Sequence, residues 1–392
     1  MSINKFSDKI VFSMLKHLKH GVLEITNYDN KKYIFGSDHQ GLNVSLKINK
    51  PGLTKNIIKS GSIGLAEAYM RGDFETNSLP DLIELTAKNI KIIYKFSGFL
   101  DLPIVNSIKK IFKKNTKNQS KENISKHYDL GNNFFSLWLD KSLTYSSAIF
   151  EKDKKNLEDA QYNKYKKLIN LIEPKSGDKI LEIGCGWGGF AEYVGKNLDV
   201  KLDCITISKK QYEFAKERIY NSKLNHKINI ELKDYRDVND KYNSIASIEM
   251  IEAVGQNYLD SYFKTIKSNL NDDGVAAIQA IVIDDELYSR YKSKEDFIQK
   301  YIFPGGFLPS KNSLKKISMQ NGLEIDLMNS YGQHYSDTLK IWRNEFMKKW
   351  DLISKQGFDL TFKKMWDFYL SYCEAGFKSK NIDLIQFSMQ NK

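Results

Sequence analysis

The most specific arrangement of chemically capable residues is Asp178-Lys-Ile-Leu-Glu182-Ile-Gly184-Cys-Gly186-Trp-Gly188-Gly189. An apolar run carries one acid near its end and passes into closely spaced glycines. Glycine lets a backbone approach a bound nucleotide where any side chain would clash. The spacing is shorter than the G-x-G-x-x-G that a pyrophosphate ligand asks for above a helix N-terminus. Further along, Cys204-Ile-Thr206-Ile207-Ser208-Lys-Lys-Gln211 ends a second apolar run with no acid. Thr206 or Gln211 can hydrogen-bond a ribose where many nucleotide folds use a carboxylate. Asp234 closes a third run and is placed to accept from an adenine amine. A pair of acids three apart, Glu249 and Glu252, follows a fourth.

The elements that must carry these residues alternate. DKILEIG, KLDCITI, INIELKD, NSIASIEM and GVAAIQAIVI read as strands. GGFAEYVGKN, KKQYEFAKERIYNSK and YLDSYFKTIKSNL read as helices between them. Apolar strands separated by amphipathic helices predict an α/β fold with a mostly parallel sheet covered on both faces. Residues 1–100 read differently, as a small α+β domain. GVLEITNYDNKKYIFG predicts a hairpin and NVSLKINK a strand. IGLAEAYMRGDFETNSLPDLIELTAKN predicts two helices around a turn at Gly72-Asp73, the second capped near Asn77 or Ser78. Residues 101–123 form a basic connector around KKIFKKNTKNQSK, and 124–392 form the larger domain.

Composition narrows the classes. A length of 392 residues favours two domains. The three cysteines, Cys185, Cys204 and Cys373, make neither a disulfide framework nor a metal-ligand spacing, which fits a reducing cytoplasm. No stretch approaches the roughly 20 apolar residues of a membrane span. The net charge of +12 draws polyanions, either nucleic acid or an anionic bilayer.

Glu182-Ile-Gly184-Cys-Gly186-Trp-Gly188, as E-x-G-x-G-x-G after a strand and before a helix, resembles motif I of class I methyltransferases. His127-Tyr128-Asp129-Leu130-Gly131-Asn132, then Leu143-Thr144-Tyr145-Ser146-Ser147, then Ser247-Ile-Glu249-Met-Ile-Glu252-Ala-Val-Gly255 and Tyr301-Ile-Phe-Pro304-Gly305-Gly306 resemble the cyclopropane-fatty-acyl-phospholipid synthase family. The family includes mycolic acid cyclopropane synthases and related fatty-acid methyltransferases, and the resemblance covers nearly the whole chain. It implies a Rossmann-like class I methyltransferase that moves a methyl carbon from S-adenosylmethionine to a cis double bond of a phospholipid acyl chain. The resulting carbocation then loses a proton to close a cyclopropane.

The resemblance also implies roles. Tyr145, Ser146, Gly184, Gly186, Thr206, Ile207, Gln211, Tyr235 and Arg236 fall at cofactor-contacting positions, beside Glu182, Gly188 and Asp234 read from the pattern itself. Glu252 and Tyr335 fall where the family holds a bicarbonate ion as base, with the Ile281 backbone. Glu249 is left to line the cofactor end, and His127 is either near the site or a surface residue. Cys373 matches a cysteine treated as an active-site residue, although an alkene that attacks by itself needs no thiol. Ser147 and Gln279 stand where many members have Cys and His as further bicarbonate ligands. Ser and Gln can still donate hydrogen bonds but supply no comparable charge or basicity, so a methyl- or methylene-branched product from the same cation stays open, as does a small-molecule N-methyltransferase. The implied partner is the anionic phospholipid membrane, visited from the cytoplasmic side, rather than nucleic acid. Assembly is left open between monomer and homodimer.

Overall fold

The computed structural model describes residues 3–98, 119, 130–151 and 156–392. The basic connector, apart from Gln119, and the His127-Tyr128-Asp129 run lie outside the described residues. The chain divides into two compact units, neither continuous in sequence. One comprises Met1–Ile111, Ser289–Ile302 and Leu339–Asn381; the other comprises Phe112–Tyr288, Phe303–Thr338 and Ile382–Lys392. A division at 101–123 would place everything beyond it in one domain, whereas two later segments stand with the N-terminal residues.

Packing within the first unit explains that assignment. Strands β1 (Val22–Thr26), β2 (Lys32–Phe35), β3 (Asn43–Ile48) and β4 (Phe74–Thr76) form a sheet of order β2-β1-β3-β4. β1 and β2 make the expected antiparallel hairpin, and β3 joins β1 in parallel. β3 alternates exposed and buried residues along its length, so one face of the sheet is apolar. Leu23, Ile25, Phe35, Val44, Leu46 and Leu82 share its core. Ser78 caps the helix Leu79–Lys88 by accepting from the Asp81 amide. That helix packs on the helix Leu360–Lys378. Buried Asp367 of the latter accepts from the Tyr69 hydroxyl at 2.8 Å and from Arg343 at 2.6 Å.

The second unit carries a seven-stranded sheet of order β10-β11-β9-β8-β5-β6-β7. Its strands are β5 (Lys179–Ile183), β6 (Lys201–Thr206), β7 (Ile228–Leu232), β8 (Tyr242–Ile248), β9 (Leu270–Ile283), β10 (Leu323–Ser330) and β11 (Ile382–Asn391). Strands β5 to β9 pair in parallel, and β11 alone runs against its neighbours. The helices Leu157–Ile172, Gly189–Asn197, Lys209–Asn221 and Leu259–Asn269 fill the crossovers and flanks. The core of Leu168, Ile180, Phe190, Leu202, Ala246 and Ala277 joins helices to sheet. The expected Rossmann-like order is thus present. Parallel strands all end on one edge, and ligands in such sheets bind beyond those ends, where the strand order reverses. β5 stands between β6 and β8 at that reversal.

Candidate active site

The turn after β5 is shaped by its glycines. Gly184 and Gly186 adopt φ of 86° and 53°, in the left-handed region that side chains disfavour. A Cβ at Gly184 would lie 2.8 Å from Met250 Cγ, so this turn touches the segment after β8. A Cβ at Gly186 would meet nothing within 4 Å. The backbone there faces open space, as a cofactor cradle requires. Behind it Glu182 is buried, and one of its oxygens has no partner among the described residues. Burial pushes its carboxyl up to about 7, with Cys204 and Lys164 pulling it back.

The other predicted cofactor residues line the same strand ends. The Thr206 hydroxyl donates to Gln211 Oε1 at 3.1 Å and accepts from the Ser208 amide. Ile207 is half-buried beside them. Asp234 accepts from Arg236 Nε and NH2, both at 2.7 Å, which holds the loop after β7 in place. The Tyr235 ring lies under the Arg236 guanidinium, 5.4 Å from its centre. The Tyr145 ring packs on Phe135 and Trp138, with ring centres 5.2 and 5.6 Å apart. Phe135 in turn packs on Trp187 of the glycine turn, whose indole N–H donates to Asn132 Oδ1 at 2.9 Å. The aromatic Leu130 to Tyr145 segment is thereby tied to the turn.

Two carboxyls dominate the chemistry. Glu249 follows β8 directly, and the register Ile248↔Gln279 sets Gln279 of β9 beside it. Glu249 Oε1 accepts from the Ser147 amide at 2.8 Å and from Gln279 Nε2 at 2.8 Å. Glu249 Oε2 accepts from the Tyr335 hydroxyl at 2.7 Å. Gln279 is held in that orientation because its own Oε1 accepts from Gln386 Nε2 of β11 at 2.9 Å. Glu252 Oε1 accepts from the Ile281 amide, its own backbone N–H also favours the charged carboxyl, and Oε2 has no partner among the described residues. Burial, and then the negative charge of Glu249, push Glu252 up to about 8. Burial also raises Glu249, opposed by Tyr335, Lys164, Ser147 and Gln279.

Three of the expected residues are brought together, but around a different centre. Tyr335, Ser147 and Gln279 converge on Glu249, and only Ile281 stays with Glu252. Ser147 contributes its amide, while its hydroxyl turns to the Ala148 carbonyl at 2.9 Å. Cys373 lies in the first unit, on the helix Leu360–Lys378. Burial and the charge of Asp296 push its thiol well up, away from the thiolate. Sequence reasoning passed over Lys164. It is wholly buried in the helix Leu157–Ile172 and donates to Ser146 Oγ at 2.7 Å. Burial lowers it to about 7, against the pull of Glu249, Asp140 and Glu182. Its signal in the sequence was faint: a lysine on the inward-facing stripe of an amphipathic helix.

The model for mycolic acid cyclopropane synthetase matches residues 115–387, and a domain of unknown function matches residues 10–95. The chain is 34% identical over 354 residues to a tuberculostearic acid methyltransferase of Mycobacterium tuberculosis, covering 88% of this chain and 83% of that protein. It is 33% identical over 344 residues to the cyclopropane-fatty-acyl-phospholipid synthase of Escherichia coli, covering 87% and 86%. The chain belongs to the mycolic acid cyclopropane synthetase family. Among solved structures, a mycolic acid cyclopropane synthase complexed with SAH and CTAB matches with a TM-score of 0.64 at 28% identity, over 69% of this chain and 98% of that one.

The protein is therefore an S-adenosylmethionine-dependent enzyme that transfers a methyl carbon to lipid acyl chains. The residues present fit that cofactor. Open space at Gly186 and the unpartnered oxygen of Glu182 stand at the strand ends where a nucleotide binds. Among the described residues no group of His, Cys, Asp and Glu could hold a metal ion. No described helix is long and apolar enough to cross a membrane.

Proposed function

We propose that the enzyme methylates the cis double bond of an unsaturated phospholipid acyl chain and closes the product to a cyclopropane. Bound S-adenosylmethionine supplies an electrophilic methyl group. The protein must orient the alkene, exclude water from the cation and hold one base. The observation that carries this reading is the desolvated acid cluster after β8. Glu249 and Glu252 keep part of their residue surface open, yet protein surrounds both carboxyls closely enough to raise them. Both carboxyls are thus shielded from bulk water. They adjoin the cofactor turn through the approach of Met250 to Gly184. A water-poor setting of this kind suits a cation that water would quench.

A second reading keeps the substrate and changes the product to a methyl- or methylene-branched chain. It is favoured by Ser147 and Gln279 and by the similarity to a protein named for methyl transfer. The substrate would be met at an anionic membrane surface on the cytoplasmic side, for which the +12 net charge is suited.

The test incubates the enzyme with methyl-labelled cofactor and vesicles of unsaturated phosphatidylglycerol. Label in the extracted acyl chains is expected, and its absence would sink the substrate reading. Catalytic hydrogenation before mass spectrometry then separates the products, because an exocyclic alkene takes up hydrogen under conditions that leave the ring intact.

A further inference from the structure

We propose that the Glu249 carboxylate is itself the base that removes a proton from the transferred methyl group, standing in the place that the resemblance assigns to a free bicarbonate ion. The inference rests on the reading that the enzyme alkylates an acyl double bond.

The geometry comes first. A planar oxyanion in this site would need donors, and three of the residues expected to supply them are Ser147, Gln279 and Tyr335. All three donate to one carboxylate, that of Glu249, from three separate stretches of the chain. A free ion would have to displace a group already bonded three times. The pattern of those bonds also selects an oxygen. Oε1 accepts two hydrogen bonds, which fills both of its lone pairs. Among the described residues Oε2 accepts one, from Tyr335, and keeps one lone pair for a proton.

The backbone supplies an independent observation. Glu249 has φ of 49°, in the left-handed region. A side chain there costs on the order of 1–2 kcal/mol relative to the right-handed region, and glycine would remove the penalty. Non-glycine residues held in that region cluster at functional sites. Here the conformation aims the carboxyl at donors that would otherwise remain to be satisfied.

The step balances without another reactant. A C–H bond of the transferred methyl group breaks, and its electron pair goes to the cationic carbon skeleton. That pair becomes the closing ring bond or, in the branched reading, after a hydride has shifted from the methyl-bearing carbon to its cationic neighbour, an exocyclic double bond. The proton passes to Glu249 Oε2, leaving a neutral carboxylic acid that must shed it before the next turnover. Glu249 therefore serves either product. Glu252, which shares none of those three donors, is left as a neighbouring acid rather than the base.

The test compares the wild type with Glu249→Gln and Glu249→Gly in buffer stripped of carbon dioxide. The wild type should turn over at the same rate with or without added sodium bicarbonate. Both variants should lose on the order of 100-fold or more in turnover, the usual contribution of a positioned base, while retaining cofactor affinity by calorimetry. Glycine leaves both space and donors, so millimolar bicarbonate or formate should restore part of the Glu249→Gly activity in a saturable way. Glu249→Gln, filled by its amide, should not respond. Residual Glu249→Gln product should be enriched in a hydroxylated branch, because water then captures the longer-lived cation. Binding of carbon-13 bicarbonate, followed by NMR, needs no lipid: Glu249→Gly should take up the ion and the wild type should not. The proposal is overturned if the wild type binds bicarbonate or depends on it, if Glu249→Gln keeps full turnover, or if a folded, cofactor-binding Glu249→Gly answers to neither ion. Failure of the substrate reading would show separately, as wild-type enzyme that leaves no label in lipid.

Discussion

A single hydroxyl tests how the carboxylate cluster is tuned. Tyr335 donates to Glu249 Oε2, which favours the ionised carboxylate, while burial opposes it. Lys164 also favours ionisation, and the nearby Glu252 carboxyl disfavours it when charged. Tyr335→Phe removes one favourable contact and leaves burial in place, so the Glu249 pKa must rise. A base is active only when deprotonated. The acid limb of kcat/KM should therefore move to higher pH, by about one unit for a lost charge-assisted hydrogen bond. A pH–rate profile that drops in height without moving would show that Tyr335 acts on something other than Glu249. The residue scale is also where the sequence was least legible. Residue spacing set out the glycine turn, and the family resemblance grouped Ser147, Gln279 and Tyr335 around Glu252. The hydrogen bonds of those three run to Glu249, three residues earlier, and the β8–β9 register sets Gln279 beside it. A left-handed backbone angle at Glu249 leaves no mark in a pattern of apolar and polar positions, and buried Lys164 leaves only a faint one.

At the scale of elements the sequence was far more legible. Strands β5 to β9 and the helices between them stand where apolar periodicity placed them, since each needs only its own period and a neighbour to bury against. Antiparallel β11 could not be read in the same way. Its role depends on pairing with β9, more than a hundred residues distant, and that pairing brings Gln386 to Gln279. The β5 turn offers a prediction of its own. Gly186 has φ of 53° and open space where a Cβ would point, whereas a Cβ at Gly184 would press on Met250. Gly186→Ala should lose only about 1 kcal/mol of stability, from backbone strain alone. Its methyl group would project into the cofactor space, so S-adenosylmethionine affinity should fall tenfold or more by calorimetry. Unchanged affinity would mean that the cofactor does not lie against this turn.

For the molecule as a whole, the buried acids make stability depend on pH in a direction opposite to that of ordinary salt-bridged carboxylates. Glu252 is raised from 4.5 to about 8, and Glu182 from 4.5 to about 7. Between those values the folded chain keeps protons that the unfolded chain releases. Stability rises with pH only where the unfolded state binds more protons, so these two groups make it fall from about pH 4.5 towards pH 8. Lys164 has the opposite sign. Lowered from 10.5 to about 7, it lacks a proton that the unfolded chain would bind, and it returns stability above pH 7. Glu252→Gln isolates one of these contributions, because an amide keeps the shape and cannot ionise. Its urea midpoint, relative to the wild type, should be higher at pH 8 than at pH 5.5, by a margin equivalent to about 1 kcal/mol or more. A relative midpoint that stays flat across that range would mean that Glu252 is already ionised in the folded protein. Two adjacent negative charges would then have to share the same desolvated surroundings, and Glu249 would be left more basic than its three donors suggest.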